Sequence, residues 1–201
     1  MPSRTTYINN KYLGLLKPRS FFVQNAGRGM ALSANNHTIQ DIAQMYHNNL
    51  LHKMYIFHLK GNRPPVKVKF DEGHLAHLIG LHYFDFKRSE ALFQDLLDGK
   101  ITWQTLKKRN KGNYKQFQYR MYYIIHLHDV LQKGRLAVYD GHLKADLMIY
   151  HRAEKQYLSL GLYEIDSKHH IYVPTTFMEN KKNRLAEAEH YEVKKREVKK
   201  V

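Results

Sequence analysis

The chain has 201 residues, 43% of them hydrophobic, which is enough for one domain with a packed core and too apolar for general disorder. It holds no cysteine, so disulfide bonds and thiolate metal sites are excluded. Lysine and arginine number 33 against 18 acidic residues, and this formal charge of +15 attracts polyanions: nucleic acid first, an anionic membrane surface second. No apolar run approaches the roughly 18 residues that a membrane helix needs, so we expect a soluble, cytoplasmic protein that binds no membrane. The positive charge makes RNA the expected partner.

The two ends of the chain differ in composition from the middle. No acidic residue precedes Asp41, and scattered glycines and asparagines before it break any periodicity, which predicts a flexible basic arm over residues 1–36. Residues 181–201 are dominated by Lys, Arg and Glu and offer almost nothing to bury, so we expect a charged tail there, either a solvated helix or a disordered segment. The folded domain would then span residues 37–180.

The start of this domain predicts a helix followed by a hairpin. Thr38 and Asp41 have the spacing of a capping box, and apolar residues at helical intervals follow them. Over residues 55–59 and 66–70 the apolar residues recur at every second position, as is typical of strands. The turn-forming sequence GNRP at 61–64 separates these two segments, so they predict a β-hairpin.

Helical spacing of apolar residues dominates the middle of the domain, and strand patterns dominate its end. We expect helices over about 71–79, 89–99, 102–106 and 114–133, with Ser89 as one N-terminal cap. Four strands follow, over about 136–139, 143–151, 156–163 and 170–178. Strands, then helices, then strands with hairpin links indicate an α+β fold in which helices pack on a small antiparallel β-sheet.

Two histidines one helical turn apart, His74 and His77, lie opposite the apolar face of a predicted short helix. Three interpretations are open. A pair at this spacing suits a metal ion, but no third ligand is evident nearby. In the second interpretation, the two side chains are surface or capping groups. In the third, one of them is a catalytic acid or base, since imidazole titrates near neutral pH.

Three other segments carry residues suited to phosphate binding. Alternation along the strand expected over about 143–151 puts Lys144 and Asp146 on one face. This face is either simply exposed to solvent, or it presents a phosphate-binding cation beside an orienting carboxylate. Pro174 within an apparent strand implies an edge or a β-bulge, close to the hydroxyl group of Thr176. Arg120 in the long helix suits a bidentate phosphate contact, although a plain surface arginine fits the sequence as well.

Fifteen tyrosines and fourteen histidines accompany the basic residues, a composition that suits stacking on unpaired bases. The sequence has no glycine-rich phosphate loop, no HExxH and no nucleophile elbow, so we expect no cofactor. The cations that we expect to bind nucleic acid are Lys67, Lys69, Arg88, Lys107 and Lys108.

Several segments between residues 38 and 182 occur in the order of a known family. The segments FDEGHLAHLIGLHYF, ALFQDLLDGKIT, YRMYYIIHLHDVL, LKADLMIY and YLSLGLYEIDSKHHIYVPTTFMENK resemble the phage- and mobile-element-associated branch of the Barnase–EndoU–colicin–RelE-like nucleases. The resemblance implies helices packed on a small antiparallel sheet, and a metal-independent ribonuclease or toxin activity. By their positions in the matching segments, the implied site residues are His77, Arg120, Lys144, Thr176 and Tyr172.

The mechanism that the resemblance implies is attack of a ribose 2′-OH on the adjacent phosphate of RNA. His77 would act as acid or base, Arg120 and Lys144 would stabilise the charge on the phosphorane, and Thr176 and Tyr172 would orient the phosphate. Two other functions stay open, namely a non-catalytic nucleic-acid-binding module and an anti-phage or interaction protein on the same fold. A toxin activity would add a protein inhibitor or antitoxin to the expected partners.

Overall fold

The structure, a computed structural model, describes residues 37–86, 90–153 and 155–201. The predicted basic arm over residues 1–36, the predicted cap Ser89 and the predicted RNA contact Arg88 lie outside these ranges. The described helices are α1 (Ile39–Asn49), α2 (Glu72–Leu78), α3 (Glu90–Leu97), α4 (Trp103–Arg109), α5 (Lys111–Tyr123) and α6 (Leu127–Lys133). The described strands are β1 (Lys53–Leu59), β2 (Val66–Lys69), β3 (Arg135–Val138), β4 (Leu147–Ala153), β5 (Gln156–Asp166), β6 (Ile171–Asn180), β7 (His190–Tyr191) and β8 (Val193–Lys200).

Local sequence signals predicted the first elements. The Oγ1 atom of Thr38 accepts a hydrogen bond from the backbone N–H of Asp41 at 3.0 Å, and the Asp41 carboxylate accepts one from the Thr38 N–H at 2.6 Å. These two bonds are the predicted capping box, of which the cap residue typically contributes about 1 kcal/mol. β1 and β2 form the expected antiparallel hairpin. The helix expected over 114–133 is divided into α5 and α6 by a 3-10 turn at Ile124–His126.

The eight described strands form one sheet in the order β7-β3-β4-β5-β6-β2-β1-β8. Neighbouring strands pair antiparallel except β2 and β6, which run parallel and pair at Lys67–Ile171 and Val68–Tyr172. The expectation of a small antiparallel sheet was therefore wrong, because the sheet is large and mixed. The β1–β2 hairpin joins the C-terminal strands through residues far apart in the chain, and such a pairing leaves no local pattern in the sequence.

The sheet nearly closes on itself, because β7 and β8 follow each other in the chain yet lie at its two edges. The backbone carbonyl of Glu192, between these strands, accepts a hydrogen bond from the N–H of Lys60 at 2.9 Å. The guanidinium group of Arg196 in β8 donates to the carbonyl of Gly134, just before β3. These contacts bring the two edges together.

The expectation of a charged tail over 181–201 was wrong for the second half of this range, because Val193–Lys200 forms β8. This strand pairs along the whole of β1, from Lys53 opposite Lys200 to Leu59 opposite Val193. Strand pairing uses backbone groups, so a lysine-rich segment can complete a sheet whose apolar side chains come from its neighbour. Charge patterning therefore misled the sequence interpretation.

The sheet has an inner face, which packs against the helices, and an outer face. Leu158, Leu160 and Leu162 of β5 lie on the inner face, in the main hydrophobic core. On the outer face of β4, Met148 packs in a smaller cluster with Leu185, which comes from the segment before β7. The first half of the expected tail therefore covers part of the outer face.

β6 contains the β-bulge that Pro174 predicted. Leu162 of β5 pairs with Pro174, while the preceding residue Gly161 pairs with Thr176, so Thr175 is the extra residue. The bulge shifts the register between the two ends of β6. Its position next to Thr176 is the one that the sequence indicated.

β4 begins later than expected, so Lys144 and Asp146 lie in a loop before the strand. The N–H of Ala145 donates to the carbonyl of Leu143 at 2.8 Å, which closes a tight turn there. The expectation that strand alternation places both residues on one face was therefore wrong. The Asp146 carboxylate accepts a hydrogen bond from the backbone N–H of Glu164 at 2.7 Å and so ties this loop to β5.

We predict that removal of residues 190–201 unfolds the domain or lowers its melting temperature sharply. All seven residues of β1 pair with β8, and at about 1 kcal/mol per net hydrogen bond this loss approaches the roughly 5–15 kcal/mol by which a domain is stable. Thermal unfolding followed by circular dichroism measures the effect. Removal of Val201 alone, which is 57% exposed, is the control and should change the melting temperature little. A truncated chain that melts with the full-length protein would contradict the role given to β8.

Candidate active site

Three elements meet at the second half of β6. β2 pairs with β6 only at Ile171 and Tyr172, after which the chain leaves β2 and forms α2. Both α2 and α5 pack against β6. Helices therefore take the place of a neighbouring strand from residue 173 onwards, and side chains of two helices and one strand come together there.

The two histidines of α2 have different surroundings. The Nδ1 atom of His74 accepts a hydrogen bond from the backbone N–H of Asp71 at 3.1 Å, and the His74 side chain is only 13% exposed. His74 is therefore a capping group, as one of the three interpretations held. The ring of His77 instead stacks on the ring of His82, with 5.0 Å between the ring centroids, and so points to the turn that follows α2.

A continuous run of rings leads from His77 to Arg120. The centroids of His82 and Tyr83 lie 4.0 Å apart, and Tyr83 stacks on Phe117 of α5 at 4.3 Å with 16° between the ring planes. The guanidinium carbon of Arg120 lies 5.3 Å from the centre of the Phe117 ring. The structure therefore joins two of the predicted site residues through what we call the ring cluster, which consists of His77, His82, Tyr83, Phe117 and Arg120.

Gly80 allows this cluster to form. Its φ of +77° lies in the left-handed region that glycine adopts without strain, and it turns the chain from α2 into the 3-10 turn that carries His82. A Cβ atom at this position would lie 3.3 Å from Cδ2 of Tyr83 and 3.5 Å from Cδ1 of Phe117. A larger residue would therefore strain the backbone and press on the stacked rings.

Arg120 interacts electrostatically with Glu179 of β6, and both side chains are half-buried. Burial lowers the pKa of the Arg120 guanidinium group. Burial also raises the pKa of the Glu179 carboxyl group, and the positive charge of Arg120 opposes that rise only in part. A carboxyl group whose pKa is raised, beside a fixed cation, is typical of acid–base sites, although structural ion pairs share the pattern.

Lys144 and Thr176 belong to a second group, which we call the outer cluster: Lys144, Tyr163, Gly161, Thr175 and Thr176. The Nζ atom of Lys144 lies 4.4 Å from the centre of the Tyr163 ring, and the Lys144 carbonyl accepts a hydrogen bond from the Thr175 hydroxyl at 2.7 Å. A Cβ atom at Gly161 would lie 2.6 Å from Cγ2 of Thr176. Glycine at this position therefore leaves the space that Thr176 fills.

Four of the five residues that we expected in one site fall into two clusters on different faces of β6. Phe177 packs in the main core, so strand alternation directs Thr176 to the outer face and Glu179 to the inner face. The ring cluster holds two of the predicted residues, and the outer cluster holds two others. The two clusters share the strand β6 but present their side chains in different directions.

Tyr172, the fifth predicted residue, lies in the main core and is 8% exposed. Burial raises the pKa of its hydroxyl group, and the neighbouring Glu164 carboxylate raises it further through its charge and a hydrogen bond. These surroundings suit a side chain that holds the start of β6 in place. A direct role in orienting a phosphate stays a prediction.

The cations expected to bind nucleic acid lie in different parts of the domain. Lys67 and Lys69 alternate with core valines along β2, so they project from the outer face. Lys107 and Lys108 are exposed in the last turn of α4, in the helical layer. Arg88 lies outside the described residues.

Sequence reasoning did not assign a role to three residues that the structure places at the site: His82, Tyr83 and Glu179. His82 and Tyr83 stand in the same sequence stretch as His77. The glycine between them and α2 was the one signal in the sequence that the chain turns there and brings their rings back toward the helix. Glu179 gave no such signal. The raised pKa of its carboxyl group depends on burial in the folded domain.

In residues 37–86, 90–153 and 155–201, no group of three or more His, Asp or Glu side chains is placed to hold a metal ion, and neither His74 nor His77 belongs to one. Within the same ranges, the structure contains no helix of the length and apolar character that crossing a membrane requires.

Residues 38–201 match the family model PBECR4, described as phage-Barnase-EndoU-ColicinE5/D-RelE like nuclease4. No curated protein and no solved structure matches the chain. The match spans α1 to β8, so it contains the ring cluster, the outer cluster and the strand that composition assigned to a tail. It confirms the resemblance that the sequence motifs indicated. The chain therefore belongs to the phage-Barnase-EndoU-ColicinE5/D-RelE like nuclease4 family, whose name is that of a nuclease acting on nucleic acid.

Proposed function

We propose that this protein is a metal-independent endoribonuclease whose active centre is the ring cluster together with Glu179. The observation that carries the proposal is a half-buried cation that interacts electrostatically with a half-buried carboxyl group and is linked by a run of rings to a histidine, in a chain of a nuclease family. Acid–base chemistry on a phosphate diester needs these three kinds of group. Glu179 lies near the end of β6, and the two helices that pack against this strand partly shield it from water.

The proposed reaction uses a nucleophile that RNA itself carries. A base removes the proton of the ribose 2′-OH, and the 2′ oxygen forms a bond to the adjacent phosphorus. The bond between phosphorus and the 5′ oxygen breaks, and an acid gives that oxygen a proton. The products are a 2′,3′-cyclic phosphate and a free 5′-hydroxyl group, and DNA is not a substrate because it lacks the 2′-OH.

Each role falls to a group whose surroundings suit it. Glu179 would be the base, since burial raises the pKa of its carboxyl group and so makes the carboxylate a better proton acceptor. His77 would be the acid that protonates the 5′ oxygen. Arg120 would stabilise the negative charge that develops on the phosphorane, and its partial burial strengthens that interaction.

The remaining residues would bind the substrate around this centre. His82 and Tyr83 are exposed, and their rings offer a stacking surface for an unpaired base. Lys144 and Thr176 of the outer cluster would hold a neighbouring phosphate rather than the reacting one. Tyr172 would keep β6 in position from within the core.

The reaction type is tested by incubating the full-length protein with labelled RNA in EDTA. We expect cleavage to proceed in EDTA, because no step involves a metal ion. The products should carry 2′,3′-cyclic phosphate ends, because the 2′ oxygen attacks the phosphorus. RNA with a 2′-deoxy substitution on the 5′ side of each scissile phosphate is the matched control and should stay intact. The proposal would be overturned if cleavage required added Mg²⁺, or if the 2′-deoxy-substituted RNA were cleaved as fast as the unmodified RNA.

We predict that His77→Ala lowers the rate of cleavage by about two orders of magnitude or more, which is the usual contribution of general acid–base catalysis. RNA affinity should change little, because most of the affinity for a polyanion comes from many lysine and arginine contacts rather than from one side chain. His47→Ala, at an exposed position of α1, is the matched control and should cleave like the wild type. Circular dichroism first establishes that both variants are folded. A folded His77→Ala protein with wild-type cleavage would remove His77 from the mechanism.

The pH dependence of kcat/KM tests Glu179. A base must be ionised to act, so the rate should rise with pH through the pKa of Glu179, which burial places above the usual value of 4.5. Glu179→Gln should lose this rise and cleave at least about 100-fold more slowly, since glutamine cannot accept the proton. Glu187→Gln, at an exposed site, should keep the wild-type profile. An unchanged acid limb in Glu179→Gln would show that another group is the base.

A further inference from the structure

Strand register defines which side chains share the outer face of β1, β2 and β8. Tyr55 and Phe57 of β1 lie in the main core, so Met54, Ile56 and His58 between and beside them point to the outer face. Residues that pair directly across strands share a face. The residues paired with these three, and therefore on the outer face, are Lys69 and Lys67 of β2 and Lys199, Glu197 and Lys195 of β8.

This surface is strongly cationic. Its one carboxylate among the described residues is that of Glu197, which lies 3.0 Å from Nε2 of His58 and 3.4 Å from Nζ of Lys199. Lys67, Lys69 and Lys195 have no ion-pair partner within 4 Å in the part of the chain that the structure describes. Three lysines are therefore left to bind an anion, and the fourth, Lys199, is only partly neutralised.

The spacing of these charges suits a chain of phosphates. Neighbouring strands lie about 4.8 Å apart, and alternate residues on one strand lie about 7 Å apart. Lysine carries a compact charge on a flexible stem, so each ammonium group can follow a phosphate without exact geometry. A row of such side chains binds a repeating polyanion better than a single small anion.

A further lysine, Lys144, lies on the far side of β6 from this surface, in the outer cluster. β6 and β5 follow β2 in the sheet, and on β5 the ring of Tyr163 lies under the Nζ atom of Lys144. From β8 to β5 there are four strand spacings, or about 19 Å along the curved sheet. Lysines thus stand on β8, on β2 and beside β5, and β6 lies between the last two positions in the sheet, with Ile171 of β6 paired to Lys67.

We propose that the lysine face, defined as Lys67, Lys69, Lys195 and Lys199, binds the phosphate backbone of the RNA substrate. The inference rests on the proposed function, and it assigns substrate binding to the side of the sheet opposite the helices. RNA is favoured over an anionic membrane surface because the chain belongs to a nuclease family and because lysines lie on both sides of β6.

The experiment measures how the affinity of the full-length protein for a short single-stranded 2′-O-methyl RNA falls with salt. This RNA lacks the free 2′-OH and stays intact during the measurement. One variant changes all four residues of the lysine face to Gln. The matched control changes four exposed lysines elsewhere to Gln and removes the same net charge: Lys111, Lys155, Lys181 and Lys182.

Each phosphate contact on a single strand contributes about 0.7 to the slope of log affinity against log salt, so loss of four contacts should reduce the slope by roughly 3. The control variant should keep the wild-type slope, and a variant with all four lysines of the face changed to Arg should keep it as well. Two double variants, Lys67/Lys69→Gln and Lys195/Lys199→Gln, should each show about half the effect. They serve as the test if the fourfold variant does not fold by circular dichroism.

Equal slopes in the fourfold variant, the control and the wild type would overturn the inference, and so would an equal loss in both variants. Binding to phosphatidylserine vesicles that depends on the lysine face, with the RNA slope unchanged, would also overturn it in favour of a membrane contact. Cleavage of unmodified RNA is measured in parallel. If the slopes change as expected but the protein does not cleave RNA, the lysine face is supported and the proposed catalysis is contradicted. If the protein cleaves RNA but the slopes do not change, the catalysis is supported and the lysine face is contradicted.

Discussion

The parallel pairing of β2 with β6, at Lys67–Ile171 and Val68–Tyr172, joins the N-terminal hairpin to the C-terminal strands. Because the pairing ends there, the rest of β6 has no strand beside it on that side, and α2 and α5 pack against it instead. The helix that carries His77 and the helix that carries Arg120 thereby pack against the strand that carries Glu179. A longer β2 would extend the pairing, displace α2 and separate these groups.

The sequence was informative wherever structure is decided locally. The capping box of α1 depends on two residues three apart, and the β1–β2 hairpin depends on alternation and a turn. The bulge at Pro174 follows from a missing backbone donor in the same residue. β8 could not be predicted in this way, since what makes it a strand is the open edge of β1 at the other end of the chain.

The same distinction holds for the candidate site. His77 and Arg120 were predicted because each lies in a recognisable segment, and the structure links them through a run of rings. Glu179 was not among the predicted residues, because an acidic residue near the end of a strand looks ordinary until helices bury it. Lys144 was placed on a strand because its neighbours alternate, but a tight turn before β4 puts it in a loop. Pairwise distances in space, rather than residue type, decide which of these side chains work together.

The two faces of the sheet offer conditions that one surface could not combine. Acid–base groups with shifted pKa values need partial burial, because a low local dielectric both raises the pKa of a carboxyl group and strengthens its interaction with a cation. Phosphate binding by counterion release needs the opposite, namely exposed lysines that lose little on contact with the ligand. The ring cluster meets the first condition between helices, and the lysine face meets the second on open strands. Under the proposed function, an RNA chain that is held on the outer face and cut at Glu179 has to pass β6, and the bulge of this strand lies between its first half, beside the lysine face, and its half-buried second half.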